Sequence, residues 1–98
     1  MRLKVYSIYD SVARMYDRPM CFRNDEEAKR SFIDLVENDQ TVLARHPSNF
    51  SLVSIGEFDD SDASLRPQDN VYTVMTAIEV AGAKAAEEQL IKEHVEDA

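Results

Sequence analysis

In the first third of the chain, β-branched and aromatic residues recur with a period of about two, so that successive side chains point to opposite sides of a strand. Residues 2–9, "RLKVYSIY", predict this strand, and residues 14–22 predict a second strand that forms a hairpin with it. The turn falls at residues 10–13. Pro19 cannot donate a hydrogen bond to a ladder, so it is expected at an edge or a bulge. In the first strand Leu3, Val5, Ser7 and Tyr9 share one side, and Arg2, Lys4, Tyr6 and Ile8 share the other.

Residues 25–38 change to a period of 3.6, which predicts the clearest helix of the chain. Asn24 is a typical N-cap residue, and Glu27 follows it at capping-box spacing. Three acids in the first turn suit the positive end of the helix dipole. The predicted buried stripe consists of Ala28, Phe32, Ile33, Leu35 and Val36.

The next apolar segment predicts a central strand. Residues 50–58 carry apolar side chains on both faces, as expected when both sides of a strand are covered. One helical turn at residues 41–46 comes before it and ends at Pro47. Residues 59–69, "DDSDASLRPQD", have the composition of a loop, and residues 71–75 resume a strand.

The C-terminal segment predicts a second long helix. Residues 77–95 are rich in Ala, Glu and Lys, and Thr76 and Glu79 have capping-box spacing. A strand over residues 71–80, followed by a helix from residue 83, is the alternative, because Gly82 weakens the start of the longer helix. The order β-β-α-β-β-α predicts an α+β fold, with both helices on one face of a small antiparallel sheet. We expect residues 1–98 to form one domain, whose C-terminal helix can serve oligomerisation.

Charge is unevenly distributed along this acidic chain. The formal net charge is −8, yet residues 1–30 hold seven of the 11 basic residues against five acids. Nucleic acid and anionic membranes should repel the whole molecule at long range, whereas a basic face in the first third could still bind at short range. The sequence contains no run of about 18 apolar residues, which predicts no membrane span. The single cysteine, Cys21, is expected to be buried between Met20 and Phe22, and we expect the protein in the cytoplasm.

The acidic cluster of residues 59–62 could hold a metal, bind a partner or form a solvated turn. A calcium loop that starts at Asp60 would place Leu65 where glycine is needed, so we predict no metal site. His46 and His94 have no second ligand at zinc spacing, and no nucleophile elbow is present. We therefore predict no catalytic residues, no cofactor and no enzymatic activity. The carboxylates assigned to partner binding are Asp59, Asp60 and Asp62.

The predicted hairpin could present cations and aromatic rings on one face. Such a surface binds single-stranded nucleic acid, because cations contact phosphates and rings stack on bases. The alternative is that these are ordinary solvent-side strand residues, and a slip of one residue in the hairpin register would separate them. The candidate nucleic-acid-binding residues are Lys4, Tyr6, Arg14, Tyr16 and Arg18.

The C-terminal helix has more apolar surface than a single stripe requires. Ala77, Ala81, Gly82, Ala85 and Ala86 form a small-residue surface, which Leu90, Ile91 and Val95 extend. A second apolar strip would need a partner, and a homodimer supplies one most simply. The alternative is that the whole helix packs within the monomer.

Three stretches together resemble the small non-structural protein of the gokushoviruses, which are single-stranded-DNA phages of the Microviridae. They are "KVYSIYD", "NDEEAKRSFIDLVEND" and, most specifically, "HPSNFSLVSIGEFDD", and the resemblance covers residues 2–62. It implies a protein that is made during infection and is absent from the capsid. It also implies a DNA-binding role in the switch from duplex replication to single-strand synthesis and packaging. It assigns no role to particular residues.

Two functions remain open at this point. In the first, the basic hairpin binds single-stranded DNA weakly and without sequence preference, as part of a homodimer. In the second, the acidic loop and helix bind a basic replication or packaging protein of the phage, and the protein does not contact DNA. The first function requires the N-terminal cations to share one exposed face, so their placement distinguishes the two.

Overall fold

The computed structural model describes residues 1–96, with side chains as far as Lys92. The predictions for the side chains of His94 and Val95 therefore lie outside the described residues. The elements are β1 (Arg2–Asp10), β2 (Met15–Tyr16), β3 (Met20–Phe22), α1 (Asp25–Glu37), α2 (Val42–Arg45), a 3-10 turn (Pro47–Asn49), β4 (Phe50–Asp59), β5 (Ser64–Thr76) and α3 (Ala77–Glu96).

All five strands form one antiparallel sheet in which β1 and β4 lie at the centre. The order is β2-β1-β4-β5, and β3 pairs with β1 as well. One edge of β1 pairs along its whole length with β4. The other edge of β1 therefore pairs with both β2 and β3. The predicted α+β fold, with helices on one face of a small antiparallel sheet, is confirmed.

The second strand of the predicted hairpin is broken into β2 and β3. Tyr16 pairs with Tyr9, whereas Phe22 pairs with Lys4, so the register shifts by one residue between the two segments. Pro19 lies in this break, where no ladder donor is needed, as predicted for an edge or a bulge. The continuous strand predicted over residues 14–22 was wrong for this reason.

The loop predicted over residues 59–69 was also wrong, because β5 begins at Ser64. Its first residues pair with the end of β4, and Arg66 lies opposite Glu57. The ladder then shifts register between Gly56 and Ser54, where residues 68–71 of β5 bulge out opposite Ile55. A bulge lets a polar, proline-containing segment remain part of a strand.

The helices begin where the capping residues predicted. The Asn24 side chain accepts a hydrogen bond from the backbone N–H of Glu27 at 3.0 Å. At α3, the Thr76 hydroxyl accepts from the N–H of Glu79 at 3.3 Å, while the Glu79 carboxylate accepts from the Thr76 N–H at 3.4 Å. This reciprocal pair is a capping box, which starts α3 at Ala77 and excludes the later start at residue 83.

The core lies between the helices and one face of the sheet. Tyr6, Ile8 and Leu52 project from β1 and β4 onto that side. The predicted stripe of α1 meets them, with Ala28, Phe32 and Val36 buried and Ile33 and Leu35 packed at the margin; Leu43, Ala77 and Val80 complete the core. Cys21 is exposed, contrary to prediction, because Met20 and Phe22 point toward the core and alternation turns Cys21 the other way.

Much of α3 projects beyond this body. Among its described side chains only Ala77 and Val80 are buried, while Leu90 and Ile91 are 67% and 59% exposed. The radius of gyration is 16.1 Å, compared with about 12.6 Å for a compact domain of this length. Leu90 and Ile91, the described large apolar side chains in the distal half of α3, are therefore not part of the monomer core. None of the described helices is both long enough and apolar enough to span a bilayer.

Candidate binding surfaces

Lys4 and Tyr6, two of the predicted DNA-binding residues, are held by a carboxylate of α1. The Asp25 Oδ1 atom accepts hydrogen bonds from the Lys4 ammonium at 2.7 Å and from the Tyr6 hydroxyl at 2.5 Å. Tyr72 of β5 donates to Asp25 Oδ2 at 3.0 Å and accepts from Lys4 at 2.6 Å. Tyr6 is fully buried, so its ring cannot stack on a base. The prediction that Lys4 and Tyr6 share an exposed face with Tyr16 was wrong.

The charges of this cluster stabilise one another. Burial alone would raise the pKa of Asp25, but the hydrogen bonds from Lys4, Tyr6 and Tyr72 outweigh it and lower that pKa. Burial and the neighbouring Asp25 carboxylate both raise the pKa of Tyr6 well above its usual value. For Lys4, the hydrogen bonds to Asp25 and Tyr72 outweigh burial and raise the pKa. The cluster is thus an ion pair of Lys4 and Asp25 that is hydrogen-bonded to the hydroxyls of Tyr6 and Tyr72, and it fixes α1 to β1 and β5.

The other three predicted DNA-binding residues are exposed near the hairpin turn. Arg14 lies in the turn with a φ of 56°, and Arg18 lies in the break between β2 and β3. Tyr16 is 52% exposed, and its ring packs against the ring of Tyr9 with a centroid distance of 4.7 Å. Tyr9 therefore takes the place that we predicted for Tyr6. Alternation along β1 places Tyr6 and Tyr9 on opposite sides of the strand. It does not show which of the two pairs with Tyr16, because that depends on the register of the hairpin.

The N-terminal cations do not gather on one face. Lys4, Lys29 and Arg23 lie 2.7, 3.4 and 3.8 Å from acids in the first turn of α1. Arg14 and Arg18 lie at the opposite end of β1 with Asp10 and Asp17 near them in the chain. Five of the seven N-terminal cations are thus divided between an ion-paired group and a small mixed-charge group, while Arg2 lies beside Glu57 and Asp59 and Arg30 is exposed on α1.

In the acidic turn after β4, the carboxylates accept hydrogen bonds that stabilise the turn. Asp59 accepts hydrogen bonds from the Ser61 hydroxyl at 2.6 Å and the Ser61 N–H at 3.0 Å, and Asp62 accepts from the Ser64 N–H at 2.9 Å. These bonds lower the pKa values of both carboxyls. Asp60 lies 2.7 Å from the Met1 ammonium. Among the described residues no group of three or more His, Cys, Asp or Glu side chains is placed to hold a metal ion.

A second acidic surface, which the sequence analysis missed, lies along α3 where it crosses the end of α1. We call it the helical groove. Its floor is apolar and includes Val36 and Val80, and exposed carboxylates flank it. Two depressions of about 370 and 330 Å³ form its two sides. The carboxylates are Glu37, Asp39 and Glu88 on one side and Glu37, Glu79 and Glu87 on the other, with Lys84 common to both.

The comparisons with known proteins agree with the earlier resemblance. The family model described as Phage ORF5 protein matches residues 3–80. Protein ORF5 of Chlamydia phage 1 is 34% identical over 82 residues, which cover 79% of this chain and 85% of that protein. No solved structure matches the chain. The family match therefore covers the sheet, α1 and the first turn of α3. The chain belongs to the Phage ORF5 protein family and is a protein of a gokushovirus, a phage of the Microviridae.

Proposed function

We propose that this phage protein is a non-enzymatic interaction module that binds a basic segment of a phage replication or packaging protein. The observation that carries the proposal is the helical groove, with its apolar floor and acidic rim. The placement of the cations supports it, because those nearest α1 are already paired with its acids. A chain with a net charge of −8 attracts basic partners at long range.

The groove suits one kind of ligand, a basic amphipathic helix. Apolar residues on one face of such a helix would pack against Ala44, Ala81 and Ala85, which line the groove around the buried Val36 and Val80, while its cations would reach the flanking carboxylates. The acidic turn is a weaker candidate, because Asp59 and Asp62 already accept hydrogen bonds from their own turn. The turn assigned to partner binding would then contribute long-range attraction rather than contact.

The test is binding of a fluorescein-labelled peptide of 18 residues with leucine on one helical face and arginine on the other. We expect the double variant Glu37→Gln/Glu88→Gln to raise the Kd about tenfold, because both carboxylates flank the groove. The matched control is Glu57→Gln/Asp69→Asn, which removes the same charge from exposed positions on β4 and β5. Fluorescence anisotropy at fixed salt measures both. Equal weakening by the two double variants would mean that only net charge matters and would contradict the groove.

Single-stranded DNA binding is the second candidate, favoured by the exposed ring pair of Tyr9 and Tyr16 with Arg14 and Arg18 close by in the chain. If this surface binds DNA, Arg14→Ala/Arg18→Ala should weaken binding to labelled oligo-dT and lower the slope of log K against log salt by about 1.4. Tyr16→Ala should weaken binding about tenfold through lost stacking. Arg30→Ala, an exposed cation on α1, is the control. A folded protein that does not bind oligo-dT at low salt would rule this candidate out.

A further inference from the structure

One whole face of the sheet has no helix on it. The core packs on the side of Tyr6, Ile8 and Leu52, and the described helices all contribute to that cluster. Val5 and Val53 are buried but do not belong to it, because alternation turns them to the opposite side. We call that side the open face.

Two neighbouring rows of the open face are uncharged. Paired residues of neighbouring strands share a face, so the register places Leu3, Phe58 and Leu65 in one row across the sheet and Val5, Gly56 and Pro67 in the next. The charged row Lys4, Glu57 and Arg66 points to the opposite side. By the same alternation Asp69 is the charged strand residue on this side, and it lies in the bulged part of β5, outside both rows.

The open face also carries a projection and a hollow. Leu65 is 68% exposed, the largest exposure of an apolar side chain within the strands. Beside it, Val5, Pro19, Ile55 and Pro67, together with Arg66, line a mostly apolar hollow of about 300 Å³. A two-fold axis would bring the Leu65 of one copy toward the hollow of the other, and the same contact would be made twice.

We propose that a second copy of this chain covers the open face, packed sheet against sheet. Two molecules with a charge of −8 repel each other over most of their surfaces, and this face lets them meet without opposing carboxylates. Nucleic acid is the poorer occupant, since the strands offer no cations there to neutralise phosphates.

The size of the face is sufficient. The ten residues of β4 span about 33 Å, and the three long strands at about 4.8 Å spacing give roughly 500 Å² per copy. The total of roughly 1,000 Å² is the least that a specific interface buries. Sheets packed in this way lie about 10 Å apart with strands aligned within about 30°.

The distal part of α3 is a poorer interface, although the sequence analysis favoured it for dimerisation. Among the described side chains of the whole of α3, the exposed large apolar ones are Ile78, Leu90 and Ile91. At 100° per residue, Leu90 and Ile91 lie about 120° and 220° around the helix from Ile78, so the three form no stripe.

Sedimentation equilibrium of the full chain from about 1 to 200 µM tests the proposal. We expect a concentration-dependent rise from the 11.2 kDa monomer to twice that mass. Leu65→Glu should raise the dimer Kd at least thirtyfold, because it buries two carboxylates in the symmetric interface. Leu90→Glu is the matched control, since Leu90 is 67% exposed on α3, and it should leave the Kd within twofold.

Three results would overturn the proposal. One is a monomer at every concentration, and another is a dimer that Leu90→Glu disrupts and Leu65→Glu does not. The third is a monomer whose binding to oligo-dT is lost in Leu65→Glu, which would make DNA the occupant of the open face. Far-UV circular dichroism should be the same for all three proteins, because both leucines are exposed.

Discussion

Gly56→Ala is expected to destabilise the fold by about 3 kcal/mol, at the upper end for an overpacked core. Gly56 is buried in β4, and a Cβ atom added there would lie 2.5 Å from the backbone carbonyl oxygen of Arg66. That oxygen belongs to the paired strand β5, so relief requires the two strands to move apart. Urea unfolding followed by circular dichroism measures the change in the free energy of unfolding.

The other glycine of the chain supplies a control of opposite sign. A Cβ atom at Gly82 would meet nothing within 4 Å, and the residue lies inside α3. Gly82→Ala should therefore stabilise the protein by about 0.5–1 kcal/mol through helix propensity. If Gly56→Ala, like Gly82→Ala, did not lower the free energy of unfolding, the close approach of β4 and β5 at Gly56 would be wrong.

The regular elements could be predicted because their patterns are local. The 3.6-residue period from Ala28 to Val36 and the Asn24 cap define α1 without reference to the rest of the chain. The start of β5 could not be predicted in this way, because Arg66 and Pro67 are unfavourable in an isolated strand. They join the sheet through pairing with Glu57 and Gly56, which is a tertiary effect.

The predicted grouping of Lys4 and Tyr6 with Tyr16 on one exposed face failed at a similar point. Alternation correctly separated Tyr6 from Tyr9, but β1 is covered by helices on one side only, and alternation cannot tell which side that is. The presence of Lys4 and Tyr6 in one set suggested a solvent face. Instead, Lys4 forms an ion pair with Asp25, which lies 21 positions further along the chain, and Tyr6 is buried.

The helical groove could not be read from the sequence for the same reason. Glu37 and Glu88 are far apart in the chain, and each is an ordinary exposed acid on its own helix. Only the packing of α3 across α1 brings them to the two sides of one apolar floor. In a dimer through the open face, both helical grooves would point away from the interface, and each dimer could bind two basic segments.

Asp25→Ala is the second substitution with a large expected effect, a loss of about 3 kcal/mol in the free energy of unfolding. It leaves the Tyr6 hydroxyl, on a fully buried side chain, without its acceptor and removes the charge partner of Lys4. An unpaired buried donor costs about 1–3 kcal/mol, and a first-turn acid adds about 0.3–1 kcal/mol at a helix N-terminus. Asp34→Ala, on the exposed side of α1, is the control and should change stability by less than about 0.5 kcal/mol.

The same carboxylate should make stability depend on acid pH. Because the pKa of Asp25 is lower in the folded protein than in the unfolded chain, its contribution is present above the unfolded pKa of about 3.9. It is lost as the pH falls below that value toward the folded pKa. Asp25→Asn should therefore flatten part of the fall in stability that the unsubstituted protein shows between about pH 4.5 and 2. Since Asp59 and Asp62 also have lowered pKa values, some slope must remain in Asp25→Asn. An unchanged slope in Asp25→Asn would show that the carboxylate gains nothing from Lys4, Tyr6 and Tyr72 on folding, and the cluster would then not be what fixes α1 to the sheet.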